Sequence, residues 1–287
     1  FGALWGIAVV QEVKTGKLLA VADYPSLDPN NINASAATNR GSRAFQAPYE
    51  PGSTMKPLTA ASLLETGTAT PDSQVYAPFA ISFPNGAKLT DAQMHGTLPL
   101  TLTGVLEQSS NVGITQLGEK LSADQRYAFM QKFGIGEDTG VDFPAESSGI
   151  LHPWQQWDNQ SYYNVMFGQA FAVTAIQMSS TYQALGNKGV RLPVRLVENC
   201  TKSDGTVVTP KLADPVKVVS EKTARTTIDM MENFVTQGWI TSSVSIPGYR
   251  IAMKTGTAEQ SDGAGGISSR YIVSNMGMFP AEDPQYV

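Results

Sequence analysis

Hydrophobic and polar residues follow two different spacings along this chain, one at its ends and one in its middle. Residues 5–24 contain two β-rich runs around Lys14-Thr15-Gly16, a pattern that predicts a β-hairpin. From Ser53 onward the apolar residues recur at helical spacing, and glycines such as Gly134 and Gly238 mark helix ends. This spacing predicts helices at residues 53–65, 101–109, 112–120, 122–133, 174–186 and 220–237.

Strand patterns return near the end of the chain. Residues 249–253 and 271–279 are predicted strands, joined by a flexible Gly- and Ser-rich run at 261–269. Asn85-Gly86 and Asp204-Gly205 predict two further hairpins, because these dipeptides favour tight turns. Strands at both ends with helices between them predict one α+β domain, an antiparallel sheet flanked by helices with an inserted all-helical lobe. The predicted sheet lobe covers residues 1–50 and 245–287, and the mainly helical lobe covers about 53–240.

Composition excludes several classes of function. The 287 residues carry a net charge of −5 without any cluster of Lys and Arg, so the basic surface of a nucleic-acid-binding protein is missing. The single cysteine, Cys200, excludes an internal disulfide and a Cys-based zinc site. His95 and His152 lie too far apart for metal-ligand spacing. We therefore predict no metal, no cofactor and no nucleic-acid partner.

Ser53 is the first candidate for chemistry. It follows Pro51-Gly52 and begins a predicted helix, so backbone N–H groups and the positive end of the helix dipole surround its hydroxyl. Lys56 lies one turn further along the same face. A serine needs a base to take its proton before it can attack as a nucleophile, and this spacing brings an amine within reach. The alternative is that Ser53 only caps the helix and Lys56 faces solvent.

Two more motifs are candidates, and each has a structural alternative. Ser109-Ser110-Asn111 consists of capping residues and can simply mark a helix end. Lys-Thr-Gly occurs twice. The first copy, at residues 14–16, lies in a predicted turn, where glycine supplies a positive φ. The second, Lys254-Thr255-Gly256, continues a strand, and glycine within a strand often marks the close approach of a ligand, so we assign function to this copy.

With their flanks, these motifs resemble those of a known family. The segments that carry the resemblance are 49–57 (YEPGSTMKP), 107–113 (EQSSNVG) and 254–258 (KTGTA), supported by residues 13–20, 133–136, 139–142 and 168–174. They are similar to the active-site motifs of class B penicillin-binding proteins, the peptidoglycan D,D-transpeptidases. The resemblance covers residues 5–287 and implies the fold shared by penicillin-binding proteins and β-lactamases.

The resemblance also implies a role for each motif. Ser53 would attack the penultimate D-Ala carbonyl of a stem peptide, release the last D-Ala and pass the acyl group to an amine of a neighbouring strand. β-Lactams would acylate the same serine. Lys56 would be the base, kept neutral by the charge of Lys254. Ser109 would bridge the two lysines and relay the proton, and Asn111 would hydrogen-bond Lys56 and the substrate amide.

The strand motif supplies the remaining contacts in this scheme. Thr255, Gly256 and Thr257 match the substrate-binding positions of the family, the two threonines holding the terminal carboxylate of the donor peptide. The backbone N–H groups of Ser53 and Thr257 would form the oxyanion hole. Two alternatives stay open, a serine β-lactamase and a β-lactam sensor or binding domain. No segment resembles the deacylating Glu-containing loop of class A β-lactamases, and class D enzymes lack an Asn at the position of Asn111.

The resemblance further implies where the protein acts and what it meets. Expected partners are peptidoglycan stem peptides, β-lactam antibiotics and a membrane glycosyltransferase, at the extracytoplasmic face of a bacterial membrane, in cell division or cell shape. Members carry an N-terminal membrane anchor and a pedestal domain, and they continue beyond residues 277–287 with a strand and a helix. That strand lies between those matching 7–12 and 271–279. We therefore expect a gap in the sheet at this position.

Overall fold

The computed structural model describes residues 2–261 and 267–287. The strands are β1 (Gly6–Gln11), β2 (Leu18–Tyr24), β3 (Gln74–Ala77), β4 (Ala80–Ser82), β5 (Lys88–Thr90), β6 (Leu98–Thr101), β7 (Val190–Arg191), β8 (Cys200–Thr201), β9 (Val207–Val208), β10 (Val216–Lys217), β11 (Ala252–Ser261) and β12 (Ile267–Met278). The α-helices are α1 (Arg43–Gln46), α2 (Lys56–Glu65), α3 (Leu102–Gln108), α4 (Asn111–Gly118), α5 (Ala123–Lys132), α6 (Ser161–Asn164), α7 (Ala175–Gly186), α8 (Glu221–Gln237) and α9 (Thr241–Val244).

The predicted elements lie close to their predicted positions, with one difference near the end of the chain. Helices α2 to α5, α7 and α8 match the helical spacing within a few residues. In the final hairpin, β11 begins three residues after its predicted start, and both β11 and β12 continue into the run at 261–269 that the composition marked as flexible. Antiparallel pairing explains this extension, since it satisfies the backbone groups of polar residues as well as apolar ones. Residues 262–266 of that run lie outside the described residues.

Two antiparallel hairpins, β1–β2 and β11–β12, form the sheet lobe, and in the described residues they do not pair with each other along their length. Residues 285–287 connect them at one end. Tyr286 forms bridges to both Glu12 and Phe279, and Gln11 and Val287 exchange two backbone hydrogen bonds of 2.9 Å. The expected gap in the sheet between β1 and β12 stays a prediction.

Helix α2 lies in the centre of the helical lobe. Its residues from Lys56 to Leu63 are all buried, which is typical of a helix surrounded by other elements rather than lying on a surface. It packs on α4 and α8, and α7 packs on α8 and β1. Tyr182 of α7 is fully buried and donates a hydrogen bond of 2.8 Å to the Thr54 carbonyl. The segment before α2 is thereby held by a second buried helix. Within residues 2–261 and 267–287, none of the helices combines the length and apolar character needed to cross a bilayer.

Three backbone segments approach one another closely in front of α2, and each does so at a glycine. Gly52, in the 3-10 turn Gly52–Met55, donates a hydrogen bond of 2.8 Å to the Gly168 carbonyl. Gly168 has a φ of +89°, and a Cβ at this position would overlap the Gly52 backbone. On the other side, a Cβ at Gly256 of β11 would lie 2.6 Å from the Pro51 carbonyl oxygen. Side chains at these positions would therefore push the segments apart.

Gly168→Ala tests this close approach. We expect a loss of at least about 3 kcal/mol in the free energy of unfolding, because the substitution combines a strained positive φ with a backbone overlap. Gly86→Ala is the matched control, since Gly86 has a φ of +90° but nothing within 4 Å of an added Cβ. The control is expected to cost about 1–2 kcal/mol, the strain alone. Urea unfolding of both variants measures the difference, and equal losses would contradict the overlap.

Candidate active site

Three segments that are far apart in the sequence meet at one point. Ser53 lies in the 3-10 turn before α2, Ser109 lies between α3 and α4, and Lys254 lies in β11. The Ser109 hydroxyl is 53 residues from Lys56 and 145 residues from Lys254, yet both lysine Nζ atoms donate to it, at 3.2 Å and 2.8 Å. One serine hydroxyl thus lies between the two amines.

Lys56 is fully buried, and its amine faces both serines. Its Nζ donates to Ser53 Oγ at 2.8 Å, to the Ser109 carbonyl at 2.5 Å and to Ser109 Oγ at 3.2 Å. A neutral amine at the same place can instead accept the Ser53 proton, because its lone pair is then available. The helical spacing of Ser53 and Lys56 therefore places a base at hydrogen-bond distance from a half-buried hydroxyl.

The backbone of Ser109 explains how it reaches both lysines. Its φ of +56° and ψ of +35° are left-handed, which is uncommon for a residue other than glycine. This conformation ends α3, and α4 begins two residues later with Ser110 as its N-cap, accepting from Gly113 N at 2.8 Å. Strained backbone of this kind persists only where the surroundings fix it. Helix α3 before Ser109 and helix α4 after it supply that support.

Lys254 is the second buried amine. Its side chain is fully buried, and its Nζ donates to Ser109 Oγ at 2.8 Å and to the Thr255 carbonyl at 3.1 Å. Burial lowers the pKa of Lys254 to about 7. Burial also lowers the pKa of Lys56 well below its ordinary value, the Lys254 charge lowers it further, and Asp91 partly opposes both effects. Both amines are thus easier to deprotonate than an exposed lysine, and each affects the proton affinity of the other through the shared Ser109 contact.

Residues of β11 alternate between two faces at the site. Lys254 and Gly256 are buried, whereas Thr255 is half-buried and Thr257 is exposed, as expected for side chains that alternate along a strand. Thr255 and Thr257 therefore share one face. Gly52 lies against the Thr257 backbone, since a Cβ on Gly52 would come within 2.7 Å of the Thr257 carbonyl oxygen. The Gly52 backbone, which precedes Ser53, therefore lies next to the Thr257 backbone.

Asn111 makes a different contact from the one expected. Its side-chain amide donates to the Thr90 carbonyl at 3.0 Å, and the described residues include no hydrogen bond from Asn111 to Lys56. The predicted Asn111–Lys56 contact is thus not present. The reason is geometric: the Lys56 amine already faces oxygens of Ser53 and Ser109, while Asn111 is held at the first position of α4.

Asp91 is a residue of the site that the sequence did not reveal. It is buried, with 7% of its surface exposed. One carboxylate oxygen accepts from the backbone N–H groups of Asn111 at 2.5 Å and Val112 at 3.0 Å, and the other accepts from Ser110 Oγ at 2.7 Å. The carboxylate therefore caps α4 and holds Ser110 and Asn111 in place, in the position that the helix dipole favours for a negative charge.

His95 extends this arrangement. Its Nε2 lies 3.0 Å from the Asp91 carboxylate, and the Gly96 carbonyl, followed by Asp91, raises the pKa of His95. Nothing local in the sequence identifies Asp91 or His95. Strand β6 and helix α3 separate them from the Ser109 motif, and no spacing rule connects them to it.

The comparisons with known proteins identify the family of this chain. The family model of the penicillin binding protein transpeptidase domain matches residues 6–287. Penicillin-binding protein PbpB of Mycolicibacterium smegmatis is 37% identical over 98% of this chain and 44% of its own length. Peptidoglycan D,D-transpeptidase FtsI of Escherichia coli K12 is 32% identical over 98% of this chain and 45% of its own length. The chain thus spans less than half the length of these relatives.

Solved structures extend the agreement to the fold. The apo crystal structure of penicillin binding protein 3 from Mycobacterium tuberculosis superposes with a TM-score of 0.93 at 35% identity, over 99% of this chain and 66% of that one. The same protein is also solved in complex with ampicillin, again with a TM-score of 0.93 and 35% identity, over 99% of this chain and 65% of that one. The resemblance noted in the sequence and the fold it implied are therefore confirmed.

Asp91→Asn tests the cap of α4. An amide keeps one acceptor oxygen and turns the other into a donor, so part of the contacts to Ser110, Asn111 and Val112 is lost. We expect a loss of about 1–3 kcal/mol in the free energy of unfolding, measured in urea.

Asp158→Asn is the matched control for this cap. There a single exposed carboxylate oxygen accepts from both Gln160 N and Ser161 N, so an asparagine can keep both bonds. The control is expected to be nearly neutral, because Asn and Asp cap helices about equally well. Equal stabilities of the two variants would show that the second oxygen of Asp91 contributes nothing.

Proposed function

Because the chain belongs to the penicillin-binding protein transpeptidase family, we propose that it is a serine D,D-transpeptidase domain that cross-links peptidoglycan stem peptides. The observation that supports this most directly is the contact of 2.8 Å between Lys56 Nζ and Ser53 Oγ, in a site where Ser109 bridges to a second lysine. The reaction is an acyl transfer through a covalent enzyme intermediate.

Acylation begins with a proton transfer. Neutral Lys56 takes the Ser53 hydroxyl proton, and Ser53 Oγ attacks the carbonyl carbon of the penultimate D-Ala of the donor peptide. The carbonyl oxygen becomes negatively charged, and the backbone N–H groups of Ser53 and Thr257 donate hydrogen bonds to it. Donors that are already in place when the charge develops lower the barrier, typically by about 2.7–4 kcal/mol for each one.

The leaving group then takes the proton that Lys56 received. The proton passes through Ser109 Oγ, which contacts both amines, to the nitrogen of the departing D-Ala as the peptide C–N bond breaks. An ester on Ser53 remains. The amine of an acceptor stem peptide attacks this ester, forms the new amide and returns one proton to Ser53 Oγ. The serine hydroxyl is restored and the lysines end in their starting states.

Donor binding uses the strand. The terminal carboxylate of the donor peptide is held by the Thr255 and Thr257 hydroxyls, which lie on one face of β11, with the Lys254 charge nearby. Gly256, the substrate-binding position between the two threonines, lets this strand lie against the Pro51 backbone close to Ser53. Asn111 holds the substrate amide from the other side of the site. Its anchorage by Thr90 and Asp91 supports this role, since a fixed hydrogen-bonding group loses little freedom when the substrate arrives.

β-Lactams are expected to react with the same serine. Their amide lies in a ring, so the amine that is released stays attached and blocks the acceptor. The two alternatives, a β-lactamase and a sensor, differ from the transpeptidase only in the fate of the acyl group on Ser53. We place the domain at the extracytoplasmic face of a bacterial membrane, in an anchored protein that works with a membrane glycosyltransferase in cell-wall synthesis during division.

Intact-protein mass spectrometry with penicillin tests this proposal. The unmodified chain is expected to gain the mass of one penicillin and to keep it for hours. Ser53→Ala is expected to gain none, with a nearly unchanged melting temperature. Ser122→Ala, which removes the helix-capping serine of α5, is the control and should be labelled normally. Release within minutes would indicate a β-lactamase, and no labelling of the unmodified chain would contradict the proposal.

Lys254→Met tests the role of the second charge. The methionine fills similar space without the ammonium, so the charge that lowers the pKa of Lys56 is lost and that pKa rises. Because the base must be neutral, the acidic limb of the acylation rate is expected to move to higher pH, by roughly 1–2 units. Lys222→Met, at an exposed position on α8, is the control. An acidic limb at the same pH in all three proteins would show that Lys254 does not tune the base.

A further inference from the structure

Phe234 of α8 lies directly beneath the amine of Lys254. The Nζ atom stands over the face of the ring, 4.4 Å from its centroid. Both side chains have 0% of their surface exposed. Helix α8 packs along β11, so this contact belongs to a large interface between two regular elements rather than to a loop.

The charges around Lys254 show why this ring matters. Among the described residues, no carboxylate lies within 4.0 Å of its Nζ. The nearest titratable group on α2 is Lys56, a like charge that shares Ser109. Glu107 of α3 accepts from Asn233, and Glu232 of α8 is paired with Arg250. The ammonium therefore depends on two oxygen acceptors and on the face of one aromatic ring.

We propose that Phe234 is a positioning residue for the reaction, holding the Lys254 ammonium in its charged form and against Ser109. The face of an aromatic ring carries partial negative charge and attracts a cation, most strongly where water is excluded. An aliphatic side chain of similar size would bury the amine equally and offer no such attraction. The inference rests on the proposed function, because it concerns the second lysine of that mechanism.

The consequence is that the two lysine amines take different protonation states. Acyl transfer needs one lysine without a proton and one with it, in a site where both are buried. The ring contacts only Lys254, so it favours the proton on Lys254 and leaves Lys56 to act as base. Active sites assign the acid and the base by giving two titratable groups different environments, which separate their pKa values.

A fluorinated phenylalanine series at position 234 tests the attraction without changing the packing. Each added fluorine weakens the negative face of the ring, while its volume changes little. The acylation rate by a fluorescent penicillin is measured against pH. The alkaline limb reports loss of the Lys254 proton, so we expect it to move to lower pH with each fluorine, by about one unit for the trifluorinated ring.

The same series at Phe133 is the control. Phe133 is 1% exposed, and no cation–ring contact is found for it in the part of the chain that the structure describes. Phe234→Leu is a further variant that needs only a natural amino acid, and its alkaline limb is also expected to move to lower pH. If its fold is lost, the fluorinated series still decides the question.

A second readout does not depend on acylation. Lysine labelled with ¹³C at Cε is followed by NMR through a pH titration, and Lys254 is identified from the resonance that Lys254→Met lacks. We expect its titration midpoint to fall with fluorination at position 234 and to stay constant in the Phe133 series. If neither the titration midpoint of Lys254 nor the alkaline limb changes with fluorination at position 234, the proposed role of the ring is wrong. A chain that is never acylated, but whose Lys254 midpoint follows the series, would refute the proposed function and leave the ring contact standing.

Discussion

Two buried lysine amines share one serine hydroxyl in this protein, and the architecture of the site depends on that contact. Burying a single amine lowers its affinity for a proton, and placing a second charge beside it lowers that affinity further. Lys56 and Lys254 are both buried, and the charge of Lys254 also lowers the pKa of Lys56. The fold therefore has to supply strong, rigid partners for the amine that keeps its charge, and it has to hold the two close enough to influence each other.

Each neighbouring element contributes to that requirement. Ser109 reaches both lysines from the turn between α3 and α4, where its own backbone is left-handed. Asp91 fixes the second of these helices by binding its first N–H groups. Glycines at 52, 168 and 256 let three backbones approach without side chains between them. Tyr182 ties the turn that carries Ser53 to a buried helix. The chemistry thus rests on helices, a strand and the short segments next to them, held together by close backbone contact.

Much of this could be read from local patterns. The helices at α2, α4 and α8 follow from apolar spacing, because a helix that packs on a core must repeat its apolar face. The hairpin around Asn85-Gly86 follows from its turn residues. Strands β11 and β12 extend further towards each other than predicted, since the composition of residues 261–269 says nothing about strand pairing. Asn111 was predicted to contact Lys56, but Asp91 holds its backbone and its side chain donates to the Thr90 carbonyl instead.

The sequence by itself determined the order of the elements, the family, and the Ser53–Lys56 pair, because a spacing of three residues on a helix is a local property of the backbone. Only the tertiary structure decided which charge faces which. Ser109, Asp91, Phe234 and Lys254 come from four separate segments of the chain, and their contacts depend on how those segments pack. Electrostatic coupling acts through space over a few ångströms, so no pattern along the chain records it.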